Sequence, residues 1–486
     1  MRRPTTALNR TVFVVLASLA ALGTLYLGAR RAFAQNNAQP VTLTILGISG
    51  WTPSELAGKM APEFQDYAKQ TGGLSVRIKF EGAPFSALEQ KAATSLAAHS
   101  KEYDIIISDS QWLGALSTPG WIVKLNDIIQ REPLLKRAEG SFNTITRWAY
   151  QTYPYGSDNL WGLPQEGDVL ALYVRNDLAR DAKNQAAFKD KYGWKLPTSF
   201  EEWEQVTWPK FEQITGFFNR PDQGLYGFAG EYSKTYDFIS DHVMSMMWMW
   251  GGEIWDSNAH QVYGILNSPQ NNAALEYYIA LLKYQPPGAN TFDINGVIQS
   301  LTQGKAFSGL TWAAVGPAIL TPEMKDKIIV VPPPGRIVNG KMVRIYCVGG
   351  QPWVVNKFID RQHMRAALEF LKWWYLPETQ MRFARLGGNP VAQYVLDRPG
   401  FEQIQPWYRE YRYMLVTERA RDFWHNPTYA SLLEVQQEAW TAYATGVVNS
   451  AKVANDYAAC GQQKILYDAG FARQAPPSSC EEVRLR

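Results

Sequence analysis

The stretch YDIIISDS (Tyr103–Ser110) decides the fold class, because it is the third of three strand-like segments set at regular intervals. VTLTILGIS (Val41–Ser49) and LSVRIKFEG (Leu74–Gly82) precede it, apolar and rich in β-branched residues. Between them the sequence predicts helices: Trp51–Glu55 is a loop and helix start leading to Met60–Gln70, and Ala87–Ala98 follows the second strand. Strand, helix, strand, helix, strand at this spacing implies an α/β fold with a parallel sheet and right-handed crossovers. Open sheets of this kind hold ligands at the carboxyl ends of their strands. The loops there are Ser49–Thr52, Ala83–Phe85 and Ser108–Trp112, and they bring Trp51, Phe85 and Trp112. One ring at a sheet edge is as readily a core cap as a ligand contact; three at one face mark a candidate cleft.

At 486 residues the chain is long enough for two or three domains, and with 46% hydrophobic residues it can bury large cores. Its 18 Trp, 25 Tyr and 21 Phe leave rings to spare for a binding surface after the interior is filled. The basic stretch MRRPTTALNR, the apolar run TVFVVLASLAALGTLYLG and the ending Ala32-Phe33-Ala34 have the order of a cleavable export signal, residues 1–34, cut after Ala34. An uncleaved anchor is the alternative reading of the same run. Residues 1–34 carry five arginines and no acids, so the formal charge of +3 becomes −2 without them. No basic run with interleaved aromatics follows, which argues against a nucleic-acid partner. In an exported chain Cys460 and Cys480 could close a short C-terminal loop, leaving Cys347 reduced.

Further on, NLWGLPQEGDVLALYVRNDL (Asn159–Leu178) has a Pro-interrupted entry into a strand, and GLYGFAGEY (Gly224–Tyr232) reads as a short strand. KAFSGLTWAAVGP (Lys305–Pro317) reads as a strand with Trp312 at its tip. IIVVPPPGR (Ile328–Arg336) breaks at three prolines, which suits a chain passing between lobes rather than continuing a ladder. SMMWMWGGEIWD (Ser245–Asp256) is apolar all round when read as a helix, hence a buried one, with Asp241 and His242 as its capping first turn. Its methionines with His242 also offer soft ligands for copper, but Met-rich helices more often fill cores. No H-E-x-x-H, G-x-S-x-G or P-loop occurs, so no catalytic, metal or cofactor residues are assigned. Glu166 and Asp168 are a carboxylate pair that a secreted glycosidase could use; hinge or hydroxyl contacts are the commoner role.

Taken in order, Tyr103–Asp127, Leu160–Leu178, LPTSFEEWEQV (Leu196–Val206), Leu301–Trp312, VVPPPG and Gly349–Val391 resemble the family 1 extracellular solute-binding proteins of ABC importers, the maltose-binding group. The resemblance implies a two-lobed periplasmic-binding-protein fold, each lobe a sheet flanked by helices, closing on a hinge. Crossings would fall near Pro164–Gly167, Val331–Pro334 and Gly387–Pro390. That makes residues 41–165 with 333–388 one lobe, and 166–332 with 389–486 the other. It further implies a monomeric periplasmic receptor that takes a sugar or sugar derivative and delivers it to the membrane subunits of an ABC permease. The ligand set so implied is Trp51, Asp109, Gln111, Trp112, Asp168 and Trp312, joined by Phe85 from the second loop and by Asp241 and His242 from the first turn of the Met-rich helix, which the resemblance turns toward the cleft. Rings cover the apolar face of a sugar while Asp and Gln meet its hydroxyls. Receptors for glycerol-phosphates share the family. Such ligands want arginines, and Arg385 near the third crossing is the one candidate.

Overall fold

The computed structural model describes residues 40–485; the expected export signal, residues 1–34, lies outside them. Strand β1 (Val41–Ile48) is buried from Leu43 onward and pairs in parallel with β2 (Val76–Ala83) on one side and β3 (Ile105–Ile107) on the other. The expected helix at Met60–Gln70 is two helices, α1 (Thr52–Met60) and α2 (Glu63–Gly72), separated at Ala61-Pro62. Proline lacks the N–H that a continuous helix would need there. Helix α3 (Phe85–Ala97) returns the chain to β3. A short strand β4 (Leu163–Pro164) completes the first sheet with β11 (Pro352–Val355), in the order β2-β1-β3-β11-β4.

The second sheet is built on β5 (Asp168–Arg175), which is buried along nearly its whole length. It pairs antiparallel with β6 (Ser308–Trp312), β7 (Ile328–Val331) and β10 (Tyr346–Gly349), and β12 (Ala420–Arg421) lies beyond β10. Between β7 and β10 the chain makes a small hairpin of β8 (Arg336–Val338) and β9 (Lys341–Val343). The strand expected at Gly224–Tyr232 is only three isolated bridges, Leu225 to Arg220 antiparallel, and Tyr226 to Ala306 and Ala229 to Gly309 parallel. Around this sheet pack α5 (Phe238–Met249) and α6 (Pro269–Ala280), and the C-terminal helices α10 (Tyr429–Ala444) and α11 (Ala451–Asp468) cover them. Every residue of α5 is buried, its apolar residues on all sides together with Ser240, Asp241, His242 and Ser245. Cys460 on α11 is bonded to Cys480, with Cα atoms 5.5 Å apart, and Cys347 is a buried free thiol.

The two sheets are joined where three chain segments run side by side. Gln165 and Glu166 donate their backbone N–H groups to the Gln351 carbonyl at 2.7 and 3.2 Å, and Gly167 donates to the Asn389 carbonyl at 3.1 Å. The second passage therefore lies at Gly350–Gln351, between β10 and β11. It does not lie at the Val331–Pro334 prolines, and residues 336–349 belong with the second sheet. The prolines end β7 by removing ladder donors, but they do not decide which sheet the next strand joins. The third passage follows α8 (Pro377–Leu386), which succeeds α7 (Arg361–Trp374) and stops at Gly387 in the left-handed region, φ 102°.

Tyrosine hydroxyls pin the carbonyls of these segments. Tyr375 donates to Pro164 at 2.5 Å and Tyr411, on α9 (Tyr408–Met414), donates to Pro390 at 3.0 Å. Tyr150 and Tyr408 donate to the carbonyls of Gly349 and Gly388. Gly350 has φ 97°, and a Cβ there would stand 2.8 Å from the Asp168 nitrogen and from the Gly167 Cα. Both the dihedral and the contact exclude a side chain. Gly350→Ala should therefore destabilise the protein by about 2 kcal/mol or more, read as a lowered urea midpoint; an unchanged midpoint would mean the crossing yields easily.

Candidate ligand-binding cleft

Where the two sheets meet, their strand ends and the crossing segments enclose a cavity of about 30 Å³. From the first sheet come Trp51, Phe85, Asp109, Ser110 and Gln111; from the second come Tyr236, Asp237, Phe238, Asp241, Ile294, Trp312 and Phe423; the crossings add Asp168, Gly349, Gly350 and Gln351. Trp51 is the residue before α1 and keeps an extended backbone. Its indole N–H is shared between Glu166 Oε1 at 2.9 Å and Gln351 Oε1 at 2.7 Å, so the ring is fixed to two crossing segments at once. Phe85 meets Trp51 edge-on, ring centres 5.4 Å apart, and Tyr236 at 4.7 Å. Trp312 ends β6 and lies over Gly349, where a Cβ would stand 2.5 Å from the indole, so glycine leaves the ring its place.

Direct bonds already bridge the cleft. Gln111 donates to Asp237 Oδ2 at 2.8 Å, and the Tyr236 hydroxyl donates to Asp109 Oδ2. Tyr236 is held in the left-handed region at φ 56°, a strained conformation for a bulky side chain. Such strain at a cleft is what a closing contact can store and release. Asp168 sits at the root of β5, and its Oδ1 accepts from the Val169 and Ala314 backbone N–H groups at 2.9 and 3.1 Å and from the Asn389 amide at 3.3 Å.

Among the described residues the lining holds four aspartates and no Lys, Arg or His. Glu166 and Glu231, both fully buried, stand behind it. Asp168 Oδ2, Asp241 Oδ2, Glu166 Oε2 and Glu231 Oε2 are buried without a hydrogen-bond partner. Burial pushes the Asp109 carboxyl up to about 6, against the pull of the Tyr236 hydroxyl. Burial likewise holds Glu166, Asp168, Asp237 and Asp241 well above the ordinary carboxylate range, and neighbouring carboxylates raise them further.

Of the nine sequence-derived candidates, seven line this cavity: Trp51, Phe85, Asp109, Gln111, Asp168, Asp241 and Trp312. Two do not. Trp112 ends the 3₁₀ turn Ser110–Trp112 and is buried toward α3 and α10 instead. His242 follows Asp241 by about 100° around α5, so it turns away from the cavity. Its ring stacks on Tyr278, centres 5.6 Å apart, with Nε2 3.7 Å from Glu231. The helix starts at Phe238 with Asp237 ahead of it, four residues before Asp241, and one turn of helix is what lets both acids reach the cavity. Tyr236, Asp237, Gln351 and Phe423 were not among the candidates. The Gly349-Gly350 pair between two strand-like segments was the available signal for Gln351; Phe423 lies in a tail with no motif. Arg385 is exposed on α8 and does not line the cavity.

Phe423 is also a wall of a second cavity, of about 820 Å³, lined by Trp148, Tyr155, Trp248 and Trp255 among others. Among its charged groups Arg421 pairs with Glu253 at 2.8 Å and His425 with Asp422 at 2.9 Å, and Glu418 is exposed. The smaller cavity is instead lined by Asp168 and Asp241, each with a buried oxygen that has no partner.

Residues 53–381 match the family described as bacterial extracellular solute-binding protein, and the chain belongs to that family. The mannitol-binding protein of Pseudomonas aeruginosa is 21% identical over 261 residues, 52% of this chain and 52% of its own, so the match spans about half the length of that relative. Among solved structures, maltose-bound T. maritima MalE3 aligns with a TM-score of 0.71 at 20% identity, over 88% of this chain and 100% of its own. A ribitol-bound ABC transporter solute-binding protein of Agrobacterium radiobacter aligns with a TM-score of 0.71 at 21% identity, over the same shares. These likenesses establish the two-lobed fold.

The raised carboxyls make stability depend on pH. A carboxyl whose folded pKa exceeds its unfolded value binds more protons when folded, so its contribution is full below about pH 4 and is lost as pH rises through the folded value. For Asp109 that value is about 6. The melting temperature should fall between pH 5 and pH 8, with about 1 kcal/mol lost through Asp109 alone. Asp241→Asn should flatten the curve; a melting temperature that rises over this range would contradict the burial of these acids.

Proposed function

We propose that the protein is the periplasmic receptor of an ABC importer, binding a sugar or sugar alcohol between its lobes and presenting it to the permease. The observation that carries the reading is the cavity between the sheets, where rings from both sides converge on the unpartnered carboxylate oxygens of Asp168 and Asp241. Trp312, Trp51 and Phe85 offer flat apolar faces to the C–H face of a sugar, and the aspartates accept from its hydroxyls. The relatives support the same reading: one is a mannitol-binding protein, and the two solved structures hold maltose and ribitol. A ligand that touches both lobes favours closure because only the closed form makes both sets of contacts. The cavity, at about 30 Å³, is water-sized, so the ligand enters with the cleft opened and takes the place of the Gln111–Asp237 and Asp109–Tyr236 bonds.

The phosphorylated-polyol reading loses its support here. An anionic ligand would enter a lining with four carboxyl groups and no base, and Arg385 is elsewhere. Catalysis is no part of the proposal: Asp168 Oδ1 is engaged with the Val169 and Ala314 backbone amides, and Glu166 Oε1 with Trp51. Ligand recovered after incubation should be chemically unchanged.

A thermal-shift screen against mannitol, ribitol, tagatose, maltose and sugar phosphates tests the reading, followed by calorimetry on the strongest hit. A neutral sugar or polyol should raise the melting temperature, and Trp312→Ala should weaken its binding at least tenfold, about 1.4 kcal/mol. A shift with phosphorylated compounds alone would overturn the choice of ligand class.

A further inference from the structure

The polar groups of the cavity are unbalanced in one direction. Gln111 already donates to Asp237, Tyr236 to Asp109, and Trp51 to Glu166 and Gln351. The Ser110 backbone N–H is likewise spent on Asp109, at 2.6 Å. Much of the site's donor capacity thus goes to its own acceptors, and acceptors are still left over. Asp168 and Asp241, 0% and 1% exposed, each keep one buried oxygen with no partner, and both line the cavity.

A hydroxyl is both donor and acceptor, so a neutral polyol asks its site for both kinds of partner in similar number. An ammonium group has three donors and no acceptor, which is the complement of this lining once its raised carboxyls are ionised, the form that a nearby cation favours. The charge points the same way. The four lining aspartates, with Glu166 and Glu231 behind them, stand without a lining Lys, Arg or His among the described residues. Buried carboxylates are ordinarily paired; here only Glu231, behind the lining, has a basic neighbour, His242 at 3.7 Å, and the lining aspartates have none. The walls are the faces and edges of Trp51, Phe85, Tyr236 and Trp312, and aromatic faces attract a desolvated cation.

From this geometry we infer that the solute carries a protonated nitrogen: it is an amino sugar or amino polyol, its ammonium group taken by the free oxygens of Asp168 and Asp241. The inference rests on the sugar-receptor reading and narrows it. The hydroxyls of the same molecule occupy the remaining carboxyl oxygens, and its apolar face lies on the rings.

Calorimetry on the full protein at pH 7 with shape-matched pairs tests it: glucosamine against glucose, and 1-amino-1-deoxysorbitol against sorbitol, with N-acetylglucosamine as a neutral control for bulk. In at least one pair the amine should bind tenfold or more tighter than its hydroxyl counterpart, and acetylation should abolish that gain. Asp241→Asn, which keeps the shape and removes the charge, should bring the amine-to-alcohol ratio below three. The comparison on the unmodified protein stands alone if the variant fails to fold. Equal or tighter binding of the neutral member in every pair would overturn the cation while leaving the sugar reading intact. No binding by any member of either series, with no neutral sugar or polyol binding in the wider screen, would overturn both.

Discussion

The passage of the chain between the two sheets constrains everything else. Three segments, around Gln165–Asp168, Gly349–Gln351 and Gly388–Pro390, cross within hydrogen-bonding reach of one another, and tyrosine hydroxyls hold their carbonyls. Backbone so deeply buried must have its polar groups met, and here side chains meet them where no ladder continues. The same segments deliver Asp168 and Gln351 to the cavity floor and tie down Trp51 through its indole. Crossing segments and cavity are thus built from one set of residues, so the proposed site and hinge would coincide. A ligand contact on Asp168 or Gln351 acts directly on the segments about which the lobes move.

Closure of this cleft without a solute brings acids together. Asp109 from one lobe faces Asp237 and Asp241 from the other, and each carboxyl raises its neighbours. Protonation relieves that repulsion, and so would a solute that donates hydrogen bonds or brings positive charge. The Gln111–Asp237 and Tyr236–Asp109 bonds hold the lobes together in the meantime at the cost of the strained Tyr236 backbone. The proposed receptor role would need this balance: contacts good enough to define the closed shape, and weaker than those a ligand makes.

Much of this was legible in the sequence. The alternation of strands and helices over Val41–Ser110 specifies the first sheet, because parallel pairing with helical crossovers leaves few other topologies. Trp51, Phe85, Asp109 and Gln111 could be found because sheets of this type place ligands beyond their strand ends. Asp168 and Trp312 came from resemblance, which also implied the two-lobed fold. The failures are local in origin. Helical phase separates Asp241 from His242, so adjacent residues cannot both face one cavity. Prolines at Val331–Pro334 announced the end of a strand but carried no information about its successor, so the second crossing was placed early. Tyr236, Asp237 and Phe423 reach the cavity through tertiary packing, from a helix approach and a tail whose sequence gives no periodic sign of it.

The most direct test is a crystal structure of the protein with the tightest ligand from the calorimetric series. The account predicts density in the small cavity, with ligand donors on the Asp168 and Asp241 oxygens that now lack partners, a ring of Trp312 against its apolar face, and the Gln111–Asp237 bond broken or displaced. Ligand seated instead beyond Phe423, in the larger cavity lined by Trp148, Trp248 and Trp255, with those carboxylates still unpartnered, would contradict it.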